Sequence, residues 1–184
     1  MPKKPHIRSA QTVARSRLFE IESLELTFSN GTEVSYERLV SASGSGAVII
    51  VPLLDAHTLL LIREYCAGTH RYELGLPKGR VEAGEEVLAA ANRELMEEVG
   101  YGARELQVLR DLTIAPAYFS HATTVVVARD LYPQRRDGDE PEPIEVVQWP
   151  MAGLLELAQS EQCSEARSLA ALFLVREHLD AGAL

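Results

Sequence analysis

Residues Gly79 to Tyr101 read GRVEAGEEVLAAANRELMEEVGY. The stretch carries six glutamates within 17 positions (Glu82, Glu85, Glu86, Glu94, Glu97 and Glu98) and a single basic residue among them, Arg93. A solvated helix would alternate such acids with lysines, because like charges at i,i+4 are mildly destabilising. A helix over Glu86 to Val99 puts Leu88, Ala91, Leu95 and Val99 on one apolar stripe at about 100° per residue. Glu94, Glu97 and Glu98 then fall within an arc of roughly 100° beside that stripe. Three carboxylates on adjacent turns repel one another unless a cation sits among them. Hard dications want oxygen ligands, and Mg²⁺ takes a few carboxylates with waters and substrate phosphates as the rest. Taken alone, a solvated acidic face is the plain alternative.

The surrounding spacing weighs against that alternative. Gly79, five residues, Glu85, seven residues, then Arg93-Glu94-Leu95-Met96-Glu97-Glu98-Val99-Gly100 resembles the Nudix box at every fixed charged and glycine position. Tyr101 stands where the family usually has an aliphatic residue. The resemblance implies an α+β fold, a mixed sheet between helices in an α/β/α sandwich, that hydrolyses a nucleoside diphosphate linked to another moiety. It implies that Glu94, Glu97 and Glu98 bind Mg²⁺, with Mn²⁺ as a substitute, and that the backbone at Gly79 adds an oxygen ligand. Arg93 is expected to pair with Glu85 and fix the loop against the helix. The general base is either a box acid, Glu97 or Glu98, or a loop acid, Glu140 or Glu142. A solvated loop is the other reading of the last two.

Length and composition set the outer bounds. The chain has 184 residues, 46% of them apolar, which suits one ordinary domain with a small extension. No run approaches the ~20 apolar residues of a membrane span. MPKKPHIR has no apolar stretch after it, so no secretory signal is expected. Cys66 and Cys163 lack metal spacing and read as reduced thiols of a cytoplasmic protein. A net charge of −9 argues against DNA binding, which needs a basic footprint.

Along the chain, Met1 to Ala10 reads as polar and loosely held. Thr12 to Leu39 reads as strands turning at Asn30-Gly31, a type I′ signal. These form an N-terminal β lobe over 1–45, with a Gly/Ser linker at Ser41 to Gly46 and a main domain over 46–184. Ala47 to Leu54 is a buried strand with Thr58 to Tyr65 as its antiparallel partner, and Gly100 with Gly102 stops the box helix. Strands are expected at Leu106 to Leu112, His121 to Leu131 and Ile144 to Trp149. Gln134 to Pro143 is a polar, mobile loop. Two helices close the chain, the second capped by Ser164.

Substrate choice rests on further resemblance. Pro116, 15 residues after the box, and the hairpin lobe resemble the ADP-ribose pyrophosphatase group, in which that lobe builds a homodimer. The runs VARSRLF, SNGTEVSYER, IREYCAGTHRYELG and DEPEPIEVVQWP resemble bacterial Nudix hydrolases of ADP compounds. They imply ADP-ribose, diadenosine triphosphate and NADH as substrates, with release of AMP. Lys78 keeps dinucleoside-polyphosphate hydrolysis open. Removal of a nicotinamide dinucleotide cap from RNA is a further reading, against which the acidic charge counts. A nucleotide-sensing module would have lost some of the glutamates. Arg63, Arg71, Tyr65 and Tyr118 are candidate substrate contacts, as phosphate or ribose clamps and as stacking platforms. Each has a structural alternative; for Arg63 and Tyr65 it is packing at a strand end.

Overall fold

The computed structural model describes residues 2–40 and 46–184. The Gly/Ser linker expected at Ser41 to Gly46 lies, except for Gly46, outside the described residues. The chain forms two units, 1–46 with 113–122 and 47–112 with 123–184.

The first unit is an antiparallel sheet, β1 (His6–Arg15), β2 (Glu20–Thr27) and β3 (Glu33–Val40), in that order. Its first strand corrects the expectation of a loose N-terminus. β1 pairs along its length with β2, and Arg15 adds an ion pair to Glu20 at 2.6 Å. The turn also differs from the type I′ expectation. Thr27 pairs with Glu33, so residues 28–32 form a five-residue connection closed by Phe28 N–H to Thr32 O at 2.9 Å. Gly31 has a φ of +84° and Asn30 does not share it, whereas type I′ needs both residues left-handed. Residues 113–122 join this unit through Leu39 N–H to Tyr118 O at 2.7 Å.

The second unit holds β4 (Ala47–Pro52), β5 (Thr58–Cys66), β6 (Arg71–Gly75) and β7 (Lys78–Arg80), followed by α1 (Val87–Glu94). Then come β8 (Tyr101–Leu112), β9 (Thr123–Pro133), β10 (Glu145–Pro150), α2 (Leu154–Gln159) and α3 (Ala166–Asp180). One sheet runs β7-β4-β9-β8, with β4 and β9 parallel; the other runs β10-β5-β6. Period-two alternation builds three layers from them. Val48, Ile50, Leu60, Ile62 and Val126 face Ala90, Ala91, Leu95 and Val99. Ile49, Val51, Leu59, Leu61 and Val125 face Leu154, Leu157, Leu172 and Val175. The result is the mixed sheet between helices that the resemblance implies.

Three local expectations are corrected. β4 and β5 are not ladder partners: they meet at one bridge, Leu53 to Leu59, and each has two other neighbours, as a strand buried on both faces requires. β8 begins at Tyr101, so Gly102 lies in a strand, where its missing side chain leaves room for Tyr132 and Met96. Ser164 does not cap α3. Glu165 does, accepting from Arg167 N at 3.1 Å and Ser168 N at 2.8 Å, while Ser164 bonds Glu73.

The box helix differs from its expected form in a way that matters for chemistry. After Glu94 it widens into a π-helical turn, Leu95–Val99, closed by Gly100 N–H to Leu95 O at 3.2 Å. Gly100 supplies the left-handed stop at φ +81°. Leu88 is off the buried stripe, 38% exposed; the buried face is Ala90, Ala91, Leu95, Glu98 and Val99. Two alanines let the helix approach the sheet closely, and the extra residue in the π turn breaks the 100° period. Glu98 therefore shares the buried face instead of lying beside it.

Candidate active site

Three elements bring carboxylates to one place. Glu98, on the π turn, is 5% exposed and accepts from Lys78 N–H at 2.9 Å. Glu64 lies on β5 two positions beyond Ile62, so it occupies the α1-facing side of that strand. Glu140 comes from the segment between β9 and β10. Each of the three offers an oxygen within 4.8 Å of the others. Lys78 forms an ion pair with Glu64 at this point. Sequence reading missed Glu64. The signal was present: an acid at the next inward position after Leu60 and Ile62.

The other box acids are organised by Arg93. Its guanidinium meets Glu85 at 2.9 and 3.0 Å, Glu94 at 2.7 Å and Glu97 at 3.1 Å, and it donates to Arg80 O at 2.9 Å. It ties the loop before α1 to the helix and offsets three negative charges. Gly79 leaves the room that the Glu94 carboxyl group occupies. A methyl group there would collide with the Glu94 carboxyl group, which packs against the bare backbone.

The electrostatics divide these acids into two kinds. The Arg93 hydrogen bonds hold the Glu85 carboxyl below the usual carboxylate range. Burial pushes Glu98 up to about 8, against the pull of Lys78 and with repulsion from Glu64 and Glu94. Burial also raises Glu94, opposed by Arg93, and raises Glu140, helped by Glu64 and Asp139. Groups crowded this way favour a cation among them. All the donors are hard oxygens, so the set fits Mg²⁺ or Mn²⁺ rather than a softer metal. Beside them opens a cavity of about 330 Å³ lined by Glu94, Glu97 and Glu98 and by Arg135, Arg136 and Glu140.

The expected substrate contacts lie as follows. Arg63 pairs across strands with Glu145 at 2.9 Å. Arg71 is engaged by Glu73 at 2.6 Å and Ser164 at 2.9 Å. The Tyr65 hydroxyl meets His70 Nδ1 at 2.6 Å, and its ring packs edge-to-face on Tyr72. Tyr118 belongs to the first unit, where it lines a groove of about 320 Å³ with Leu24, Tyr36 and Pro116. Glu142 lies outside the carboxylate cluster and accepts a hydrogen bond from the Tyr72 hydroxyl.

Residues 45–171 match the NUDIX domain, and residues 5–38 match the NudE-type Nudix hydrolase N-terminal domain. The chain belongs to the Nudix hydrolases. The ADP compounds hydrolase NudE of Escherichia coli (strain K12) is 53% identical to it over 176 residues, covering 96% of this chain and 94% of that one. The ADP-ribose pyrophosphatase of Bacillus subtilis (strain 168) is 28% identical over 88% of this chain and 90% of its own length. A crystal structure of an ADP compounds hydrolase superposes with a TM-score of 0.90 at 51% identity, covering 100% of this chain and 99% of that one. This Nudix chain is a pyrophosphohydrolase of nucleotide diphosphates. Nudix hydrolases generally need divalent metal ions. Among the described residues no helix is long and apolar enough to cross a membrane.

Proposed function

We propose that this Nudix enzyme cleaves the diphosphate bridge of ADP-containing nucleotides, with ADP-ribose, diadenosine triphosphate and NADH as substrates and AMP as the common product. The observation that carries the reading is the convergence of Glu64, Glu98 and Glu140, from three separate elements, beside a cavity that also presents Arg135 and Arg136. The resemblance in sequence and structure to ADP compounds hydrolases supports the substrate class.

Glu94, Glu97 and Glu98, with Glu64 and the Gly79 main chain, would hold Mg²⁺. When bound, the ion neutralises phosphate charge and acidifies water. The chain's own residues do the rest. Glu140 takes the proton of a water that attacks the adenosine-bearing phosphorus. The bond from that phosphorus to the bridging oxygen breaks, and the bridging oxygen leaves on the second phosphate. Arg135 and Arg136 offset the phosphate charge, and Arg93 holds the box loop in place. The N-terminal unit exposes Ile7, Val13, Leu18 and Phe19, which supports a homodimer built through it.

The test is a nucleotide panel read for AMP, with Mg²⁺ and with EDTA. AMP is expected from all three ADP compounds, accompanied by ribose 5-phosphate, ADP or reduced nicotinamide mononucleotide respectively, and turnover stops in EDTA. Turnover of the panel without AMP among the products overturns the substrate reading. Full activity in EDTA overturns the metal.

A further inference from the structure

Glu140 sits in the sequence Asp139-Glu140-Pro141-Glu142-Pro143. The segment is irregular and exposed, yet its acid must meet Glu64 and Glu98 to within a hydrogen-bond length or two. Among the described residues, 137–143 receives one hydrogen bond, from the Tyr72 hydroxyl to Glu142 Oε1. Tyr72 is well placed to give it. It stands on β6 directly across from Tyr65, whose ring braces it edge-to-face at 5.8 Å. Tyr65 is in turn fixed by His70.

The two prolines turn this single contact into a constraint on Glu140. A residue before proline is pushed out of the helical region into extended geometry, and proline fixes its own φ. Pro141 and Glu142 form a bend whose backbone the two prolines restrict, so the step from Glu142 back to Glu140 is short and stiff. Pinning Glu142 at one end sets where Glu140 lies at the other. In a glycine- or serine-rich loop the same hydrogen bond would leave Glu140 free.

We propose that Tyr72 is a positioning residue for the hydrolysis: its hydroxyl anchors Glu142, and through Pro141 this holds the Glu140 carboxylate against Glu64 and Glu98. The proposal rests on the reading of Glu140 as the base, and the test separates the two. In Mg²⁺ with ADP-ribose, Tyr72→Phe is expected to lower kcat about tenfold with KM within twofold, an effect in the range of a lost aligning contact. Glu142→Gln gives a similar loss, and the double variant loses no more than either alone. Glu140→Gln loses about a hundredfold or more, and Tyr72→Phe adds nothing in that background. Tyr72→Phe with kcat within twofold of the parent, or an effect that multiplies fully with Glu140→Gln, overturns the proposal. Trypsin cleavage after Arg136 gives a readout independent of turnover, and it accelerates several-fold in Tyr72→Phe if the hydroxyl holds the segment. If Glu140→Gln keeps full activity, the base reading falls while faster cleavage still supports the anchor; unchanged cleavage removes the anchor whatever the kinetics.

Discussion

Glu85 and Glu98 are the same residue type in the same box, and the fold treats them in opposite ways. Glu85 faces a guanidinium that meets both of its oxygens, and its carboxyl is held below the ordinary range. Glu98 faces the protein interior with one backbone N–H for company, and burial lifts it to about 8. One carboxylate is satisfied within the chain and works as a fastener. The other is left in need of positive charge, which the metal role proposed for it would supply. A sequence motif fixes residue identity; the neighbours decide which acids are paired within the chain and which are left buried without a countercharge.

The largest effect that tests this contrast is at Glu98. Glu98→Gln keeps the shape and the acceptor for Lys78 N–H, yet removes the charge; kcat with Mg²⁺ is expected to fall on the order of 10³-fold. Stability should move the other way. An ordinary unfolded glutamate titrates near 4.3, so between that pH and about 8 the folded chain holds a proton that the unfolded chain has released. Metal-free stability attributable to Glu98 is therefore intact below the unfolded value and declines as pH rises to about 8, by on the order of a few kcal/mol. Glu98→Gln escapes that decline. In EDTA at pH 8 its Tm should exceed the parent's by about 4 °C or more, and at pH 4 the two should coincide. A variant less stable than the parent at pH 8 would mean that Glu98 is a fastener too.

Next in size is Gly79→Ala. The backbone there is ordinary, so the new methyl does not strain φ; its quarrel is with the Glu94 carboxyl alone. That carboxyl is the end of a flexible side chain and can move aside. Turnover is expected to drop about a hundredfold, as for a misplaced catalytic group, while Tm stays within about 3 °C of the parent. Kinetics and thermal melts of one preparation decide it. Equal losses in both would place Glu94 on the fold's side of the contrast.

These contrasts were only partly legible in the sequence. The box, its acids and the Arg93–Glu85 pairing could be read because charged residues and glycines stand at fixed spacing. The three layers follow from β4, whose continuous apolar run must be buried on both faces. The π turn could not be read, because its only sequence mark is Gly100, which would end an ordinary helix as well. It brought Glu98 into the buried face, while Leu88, in the first turn of α1, is exposed ahead of it. Glu64 was hidden because a lone acid at a strand end looks like an edge residue until the inward side is known. β8 reads as starting at Leu106 because Gly100 and Gly102 look like a helix stop, whereas the strand begins at Tyr101. Tyr72 was missed because its partner is 70 residues away.

The smallest effect is at Glu85, and it completes the contrast through its sign. Glu85→Gln leaves Arg93 with Glu94 and Glu97, so the cost should be about 1 kcal/mol at pH 7, the size of a charge-assisted hydrogen bond weakened rather than a buried ion orphaned. Because the folded carboxyl is held below its unfolded value, the stability it contributes is present at neutral pH and lost as pH falls through the carboxylate range. The difference between parent and Glu85→Gln should thus shrink toward zero in acid, while the difference between parent and Glu98→Gln grows from zero as pH rises. Urea titrations of the metal-free proteins across pH 3 to 8 would show two curves of opposite slope. If the Glu85 difference also widened with rising pH above 6, proton release from the Arg93 latch would be coupled to the buried acids, and the box would have to be treated as one titrating unit instead of a fastener beside a site.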